Sequence, residues 1–172
     1  MILRPALHSD LDTLVAFSRQ AFTDAFGPLY AADDLAAFLG RYRAPERFAA
    51  AIDDPDRSVT LAQEGGTLLG YATVDFAARF EERPDPQPDA PCMLGQLYCS
   101  SEATGRGVGA ALLDHAIAKA RERGCDAMQL SVYSGNFGAQ RFYQRYGFRH
   151  VADIDFWVGS HRDDEFLYEL TL

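Results

Sequence analysis

The segment that most restricts what this chain can become runs from Leu97 to Leu113, LYCSSEATGRGVGAALL. An apolar, strand-like run ends in a turn with glycine at alternating positions, Gly105, Gly107 and Gly109, and an amphipathic helix follows at once. Glycines so placed let the backbone approach a ligand where a Cβ would clash. The first helical turn then offers N–H groups that have no partner inside the helix, and the helix dipole adds partial positive charge. A turn of this kind binds phosphate without any basic side chain.

The same glycine spacing is compatible with a purely structural turn. A nucleotide P-loop is excluded, because no Gly-Lys-Ser/Thr follows. A dinucleotide fingerprint is formally satisfied by Gly105-Arg106-Gly107-Val108-Gly109-Ala110, with Asp126 downstream. That aspartate, however, precedes the next strand-like run rather than ending it. Only one further βα unit remains after it, too little for a dinucleotide fold.

The rest of the chain reads as one α/β domain over residues 1–172. Ile2 to Pro5 is a short strand. Ser9-Asp10 caps a helix carrying Leu11, Leu14, Val15 and Phe17, and a second helix opens at Asp33-Asp34. A short third helical piece starts at Pro45-Glu46 and stops at Asp54-Pro55. Residues 58–62 and 68–74 flank a Gly65-Gly66 turn and form a β-hairpin. Residues 78–91 carry several prolines and form a surface loop, either a substrate lid or a plain connection. Met93 to Cys99 is a strand and Gly107 to Arg123 a long helix. Ala127 to Tyr133 is a strand, Phe137 to Arg145 a helix, and Phe148 to Trp157 and Glu165 to Leu170 close the order β-αα-βββ-α-β-α-ββ. Trp157 reads as core or as part of a contact between copies.

Composition excludes several classes. With 172 residues, 48% hydrophobic and 24% charged, the chain sits in the globular range. No apolar run reaches membrane-spanning length and the start lacks a signal-peptide layout, so a cytoplasmic protein is expected. Cys92, Cys99 and Cys125 form no CxxC, and the four histidines form no zinc pattern, so neither disulfides nor metal are expected. The net charge of −9 and the lack of a basic stripe argue against nucleic acid, while suiting a cationic partner or simply solubility.

A second informative segment is Ser131 to Phe148, SVYSGNFGAQRFYQRYGF. Asn136 is a natural helix cap and Gly147 a helix stop. Tyr143 taken alone would pack its ring on the sheet. Together, the two segments resemble the GNAT acetyltransferases. That family places Gln/Arg-x-x-Gly-x-Gly/Ala after a strand like Leu97-Tyr98-Cys99. Here Gly107-Val108-Gly109 matches, Arg106 fits, and Thr104 stands where Gln or Arg is usual. The later Asn, Phe-Tyr and Gly-Phe of the family match Asn136, Phe142-Tyr143 and Gly147-Phe148, so the resemblance spans residues 93–148 and the element order around it.

The resemblance implies a mixed, mostly antiparallel sheet flanked by helices, with acetyl-CoA as cosubstrate. It places the cofactor on Leu97, Cys99, Thr104, Gly105, Arg106, Gly107, Val108, Gly109 and Asn136, with Cys99 contributing its backbone N–H. Tyr143 becomes the acid that protonates the departing thiolate, a step worth about 10²–10⁴-fold. Tyr146 is a weaker candidate. Transfer is direct, so Cys99 is not a nucleophile. No general base is assigned: Gln96 and Tyr98 are not carboxylates, and Asp24, Asp75, Glu81 and Glu82 read as surface acids. A looser likeness of residues 21–27, 34–39, 156–159 and 164–172 to bacterial polyamine acetyltransferases suggests a small polyamine-like amine as acceptor. A peptide N-terminus, or a silent acetyl-CoA-binding regulator, are the alternatives, and the family allows a homodimer.

Overall fold

In the computed structural model, which describes all 172 residues, the chain runs β1 (Ile2–Pro5), α1 (Leu11–Phe26), α2 (Ala32–Tyr42), α3 (Pro45–Asp53), β2 (Arg57–Glu64), β3 (Thr67–Asp75) and β4 (Pro91–Cys99). It continues with α4 (Val108–Glu122), β5 (Ala127–Tyr133), α5 (Phe137–Arg145), β6 (Arg149–Val158) and β7 (His161–Thr171). The strands form one seven-stranded sheet in the order β1-β2-β3-β4-β5-β7-β6. Only β4 and β5 are parallel, and every other pair is antiparallel.

The expected order holds, with corrections at the boundaries. The short third piece is a full helix, α3, because Pro45 pre-sets its first turn. α1 runs on to Phe26, since Phe22 continues its buried stripe. β4 begins at Pro91, inside the region expected to be loop. Trp157 is 55% exposed on the edge strand β6, so it is not core.

Helices cover both faces. On one, α4 buries Val108, Leu112, Leu113, Ala116, Ile117 and Ala120, a stripe at helical spacing, against β3 and β4. Each fully buried leucine there contributes about 1.5–3 kcal/mol. α5 joins this layer through Tyr143, which packs with Phe148. On the other face, α1 and α3 cover β2 and β3 through Leu14, Phe48, Leu61 and Tyr71. α2 reaches the far side of the sheet, where Phe38 packs on Phe22, Phe156 and Val158.

Two features of β4 create an opening in the sheet. In its pairing with β3, Thr73 faces Gln96 and Val74 faces Leu94, so Gly95 is a bulge with no partner. On its other side β4 pairs with β5 over only three positions, Pro91–Ala127, Cys92–Met128 and Met93–Gln129. β5 stays with β7 as far as Tyr133–Glu165. The sheet therefore opens between residues 94–99 and 130–133.

The proline-rich segment is fastened down rather than free. The Phe80 N–H donates to Gln129 Oε1 at 2.9 Å, and Arg83 forks onto the Glu169 carboxylate at 2.8 and 3.0 Å. Asp126, the residue a dinucleotide site would have used, instead accepts the N–H groups of Asp89 and Ala90 at 2.8 and 3.1 Å. This is how a structural connection behaves.

Gly70 lets β3 and β4 meet α4. A Cβ there would lie 2.7 Å from the Tyr98 carbonyl oxygen and 3.2 Å from both Cys99 Sγ and Leu112 Cδ1. Gly70→Ala should therefore push β4 outward and lower stability by about 1–3 kcal/mol in urea unfolding. An unchanged midpoint would show that β4 yields at no cost.

Candidate active site

The opening between β4 and β5 leads into a cleft of about 300 Å³, at the lower end of ligand sites (~300–1,000 Å³). It passes through the sheet, so groups from both faces line it: Tyr143 from α5, Phe22 and Phe26 from α1, and Glu165 from β7.

On the α4–α5 side the cleft is built from backbone. The Ser100 N–H donates to the Leu69 carbonyl. The two-residue alternation of a strand then turns the N–H groups of Leu97 and Cys99 away from β3, toward the gap β5 has left. Gly105 and Gly107 both hold φ of +76°, and nothing lies within 4 Å of a Cβ placed at either. α4 starts without a side-chain cap, and its first bond back to the turn runs from the Ala111 N–H to the Gly107 carbonyl. The N–H groups of Val108, Gly109 and Ala110 are thus open toward the turn. α5, by contrast, is capped: Asn136 Oδ1 accepts the Ala139 N–H at 3.0 Å. Asn136 also lines the cleft, with its Nδ2 free of protein partners.

The basic side chain of the turn points elsewhere. Arg106 is paired with Glu64, and Thr104 is exposed beside it. The sequence-predicted residues therefore divide. Leu97, Cys99, Asn136 and Tyr143 come together on the cleft; Gly105, Gly107, Val108 and Gly109 form the adjoining turn; the side chains of Thr104 and Arg106 take no part in lining the cleft.

Tyr143 is 9% exposed and its hydroxyl makes no hydrogen bond within the protein. Burial, and then the nearness of Tyr98 and Cys99, push its pKa well above the usual phenol range, so it stays protonated. Burial also raises the Cys99 thiol to about 11, which keeps it from being a thiolate at neutral pH. Tyr146 donates to the Ala110 carbonyl at 3.3 Å and packs on Phe142, a structural role.

The opposite side holds groups that sequence reasoning missed. Glu165 is 8% exposed, faces the cleft, and accepts a hydrogen bond from Ser131. Burial, reinforced by Asp163 nearby, raises its carboxyl to about 7, while the Ser131 bond opposes the rise. Behind it, Asp163 accepts the Tyr30 hydroxyl and lies 3.2 Å from His161. Arg43, 6% exposed just after α2, also borders the cleft. A signal for Glu165 did exist: Asp163, Glu165, Leu167 and Glu169 alternate with Asp164, Phe166, Tyr168 and Leu170, which sets acids on a half-buried face. Asp24, Glu81 and Glu82 are exposed and away from the cleft, and Asp75 is ion-paired to Arg57 at 2.9 Å.

A strand, a glycine turn and an uncapped helix beside a split parallel pair define an acyl-CoA-type transferase site, and comparison with known proteins names the family. The chain belongs to the acetyltransferase (GNAT) family, whose description matches residues 19–148. It is 30% identical over 159 residues to an uncharacterised N-acetyltransferase of Mycobacterium tuberculosis, covering 92% of this chain and 96% of that one. Its fold superposes on the PaiA N-acetyltransferase of Thermoplasma acidophilum, solved in complex with coenzyme A, with a TM-score of 0.81 at 20% identity over 99% and 98% of the two chains. A ribosomal-protein-alanine N-acetyltransferase of Brucella melitensis superposes with a TM-score of 0.68 at 22% identity over the full length of both. The protein is thus an N-acetyltransferase that takes acetyl-CoA as cosubstrate. The uncapped helix and open glycine turn fit the negatively charged pyrophosphate of that cosubstrate.

The raised Glu165 carboxyl has a thermodynamic consequence. A group protonated more readily when folded than when unfolded stabilises the fold below about pH 4.5, and that advantage is lost as pH rises toward 7. Glu165→Gln, which cannot ionise, should therefore gain stability relative to the parent across this window, by ~2–3 kcal/mol in urea unfolding. A difference independent of pH would mean that Glu165 ionises as freely in the fold as outside it.

Proposed function

We propose that the cleft transfers the acetyl group of acetyl-CoA to the primary amine of a small acceptor by direct attack within a ternary complex. In this reading the pyrophosphate rests on the turn of Gly105, Arg106, Gly107, Val108 and Gly109, with Thr104 at its edge. The thioester lies along β4, where the Leu97 and Cys99 N–H groups hold the acetyl carbonyl, and Asn136 borders the same arm. Glu165 accepts a proton from the amine nitrogen as the C–N bond forms. The C–S bond breaks, and Tyr143 gives its proton to the sulfur. The observation that carries this is the arrangement of one buried carboxyl on one face of the split sheet and one unbonded phenol on the other, with unpartnered strand N–H groups between them.

An amine near pKa ~10.4 is mostly protonated at neutral pH. A carboxyl raised to about 7 is a stronger base than an ordinary glutamate and is still largely ionised above neutrality. A silent binder would need neither group. For the acceptor, Glu165 with Asp163 behind it, and the net charge of −9, support a polyamine-like cation. The buried positive charge of Arg43 on the same cleft opposes it.

Thiol release from acetyl-CoA against spermidine, amino acids, aminoglycosides and short peptides tests the transfer. Tyr143→Phe should lower kcat ~10²–10⁴-fold with coenzyme A affinity kept; a rate within a few-fold of the parent would remove the acid role. In the parent, kcat/KM should rise with pH through a limb near pH 7, and Glu165→Gln should abolish that limb. Survival of the limb in the variant would assign the base elsewhere.

A further inference from the structure

Arg43 is a guanidinium almost wholly out of water, and no carboxylate lies within ion-pair distance of it. Its hydrogen bond to the Tyr42 carbonyl is long, 3.4 Å from Nη1, the Tyr98 hydroxyl lies close enough to interact with it, and its Nε has no partner at all. The rings of Phe22, Phe38 and Tyr98 surround it, with their centroids 5.4, 5.6 and 5.7 Å from its central carbon. Aromatic faces soften the cost of burying a cation but do not satisfy N–H donors, of which this side chain has five. A buried charge left this way is expensive, and buried charges are normally paired.

The position of Arg43 says what could pair it. It borders the reaction cleft on one side and a second chamber of about 260 Å³ on the other, and Gly95 and Gln96 of the β4 bulge share that junction. The second chamber also carries Arg47 and Arg57, with Asp75 as its only carboxylate. Of these, Arg57 is already paired with Asp75 and Asp54 at 2.9 and 3.3 Å, so Arg43 and Arg47 are the guanidiniums of this junction without a carboxylate partner. Glu165 stands on the wall of the first cavity, and it is not among Arg43's ion-pair partners.

We infer that Arg43 binds a carboxylate on the acceptor, so that the acceptor is a small zwitterion of the amino-acid kind, its amine toward Glu165 and Tyr143 and its anion at the junction of the two chambers. The inference rests on the acetyl-transfer reading for the placement of the amine. A fork of guanidinium N–H donors matches a carboxylate bidentately, which would satisfy Nε and an Nη together. The remainder of the acceptor would extend into the second chamber, beside Arg47.

The test is calorimetric titration of the coenzyme A-loaded protein with free amino acids, each paired with its α-carboxamide, with spermidine alongside. At least one free acid should bind about tenfold or more tightly than its amide, because a site built for a charged partner rejects the analogue lacking it. Arg43→Met should bring that pair to within about threefold, while Arg43→Lys, which keeps the charge but not the fork, should retain part of the preference. Coenzyme A affinity should hold in both variants. Three results overturn the inference: amides or spermidine binding as tightly as the acids, no acid binding, or Arg43→Met weakening acid and amide alike, as a purely structural role beneath the aromatic rings would. Thiol release with the same panel separates the two readings. Acid-selective binding without release would sink acetyl transfer and leave the anion subsite, whereas best turnover with spermidine would sink the subsite and leave transfer.

Discussion

The parting of β4 from β5 after three residue pairs is the constraint on which the rest of this protein depends. A continuous parallel pair would satisfy its backbone internally and leave no room for a ligand. Here the unpaired Gly95 shifts the register of β4, and β5 follows β7 instead. The strand N–H groups freed above the split are costly if buried without partners. In the proposed reading, an acyl-CoA arm running along β4 would supply those partners, acting as the strand that is missing. Beyond the end of β4, the glycine turn and the uncapped start of α4 continue the same row of open donors.

A split that passes through the sheet lets two environments meet without mixing. The α4–α5 side carries, besides its backbone donors, only Asn136 and Tyr143 as polar groups, and in the proposed reaction the departing sulfur would meet a phenol that burial keeps protonated. The α1–α3 side carries the ionisable groups, Glu165 with Asp163 behind it and Arg43 among aromatic rings. The proposed mechanism therefore places proton removal and proton delivery on opposite faces. The same low-dielectric surroundings that raise the Glu165 carboxyl make Arg43 demand an anionic partner. Gly70, against which a Cβ would meet the Tyr98 carbonyl, ties the cleft geometry to the packing of α4.

The donor half was legible in the sequence because it is local. Gly105 to Gly109 before an apolar helix, and Asn136 to Phe148 after a strand, each carry their geometry within about twenty residues, inside the range of helix periodicity and capping rules. The acceptor half was not, because it is assembled from distant pieces. Glu165 is placed by pairing with Tyr133 of β5 and faces a cleft walled by α1, well over a hundred residues away in the chain, and in isolation the run Asp163-Asp164-Glu165 resembles a solvated turn. Arg43, one residue past the end of α2, had only the general expectation that arginine is exposed. The side-chain direction of Arg106 was hidden for the same reason: β2 brings Glu64, 42 residues earlier, to it. Asp126 is spaced like a ribose ligand, yet it holds the proline-rich connection in place.

The most direct measurement is amide hydrogen exchange, residue by residue, with and without acetyl-CoA. Protection should rise at Leu97 and Cys99 on β4 and at Val108, Gly109 and Ala110 at the start of α4, while the β2–β3 hairpin and the β6–β7 pair stay as they are. If the cosubstrate bound yet left Leu97 and Cys99 exchanging at their free rate, the arm would not lie along the split, and the site would have to work in another way.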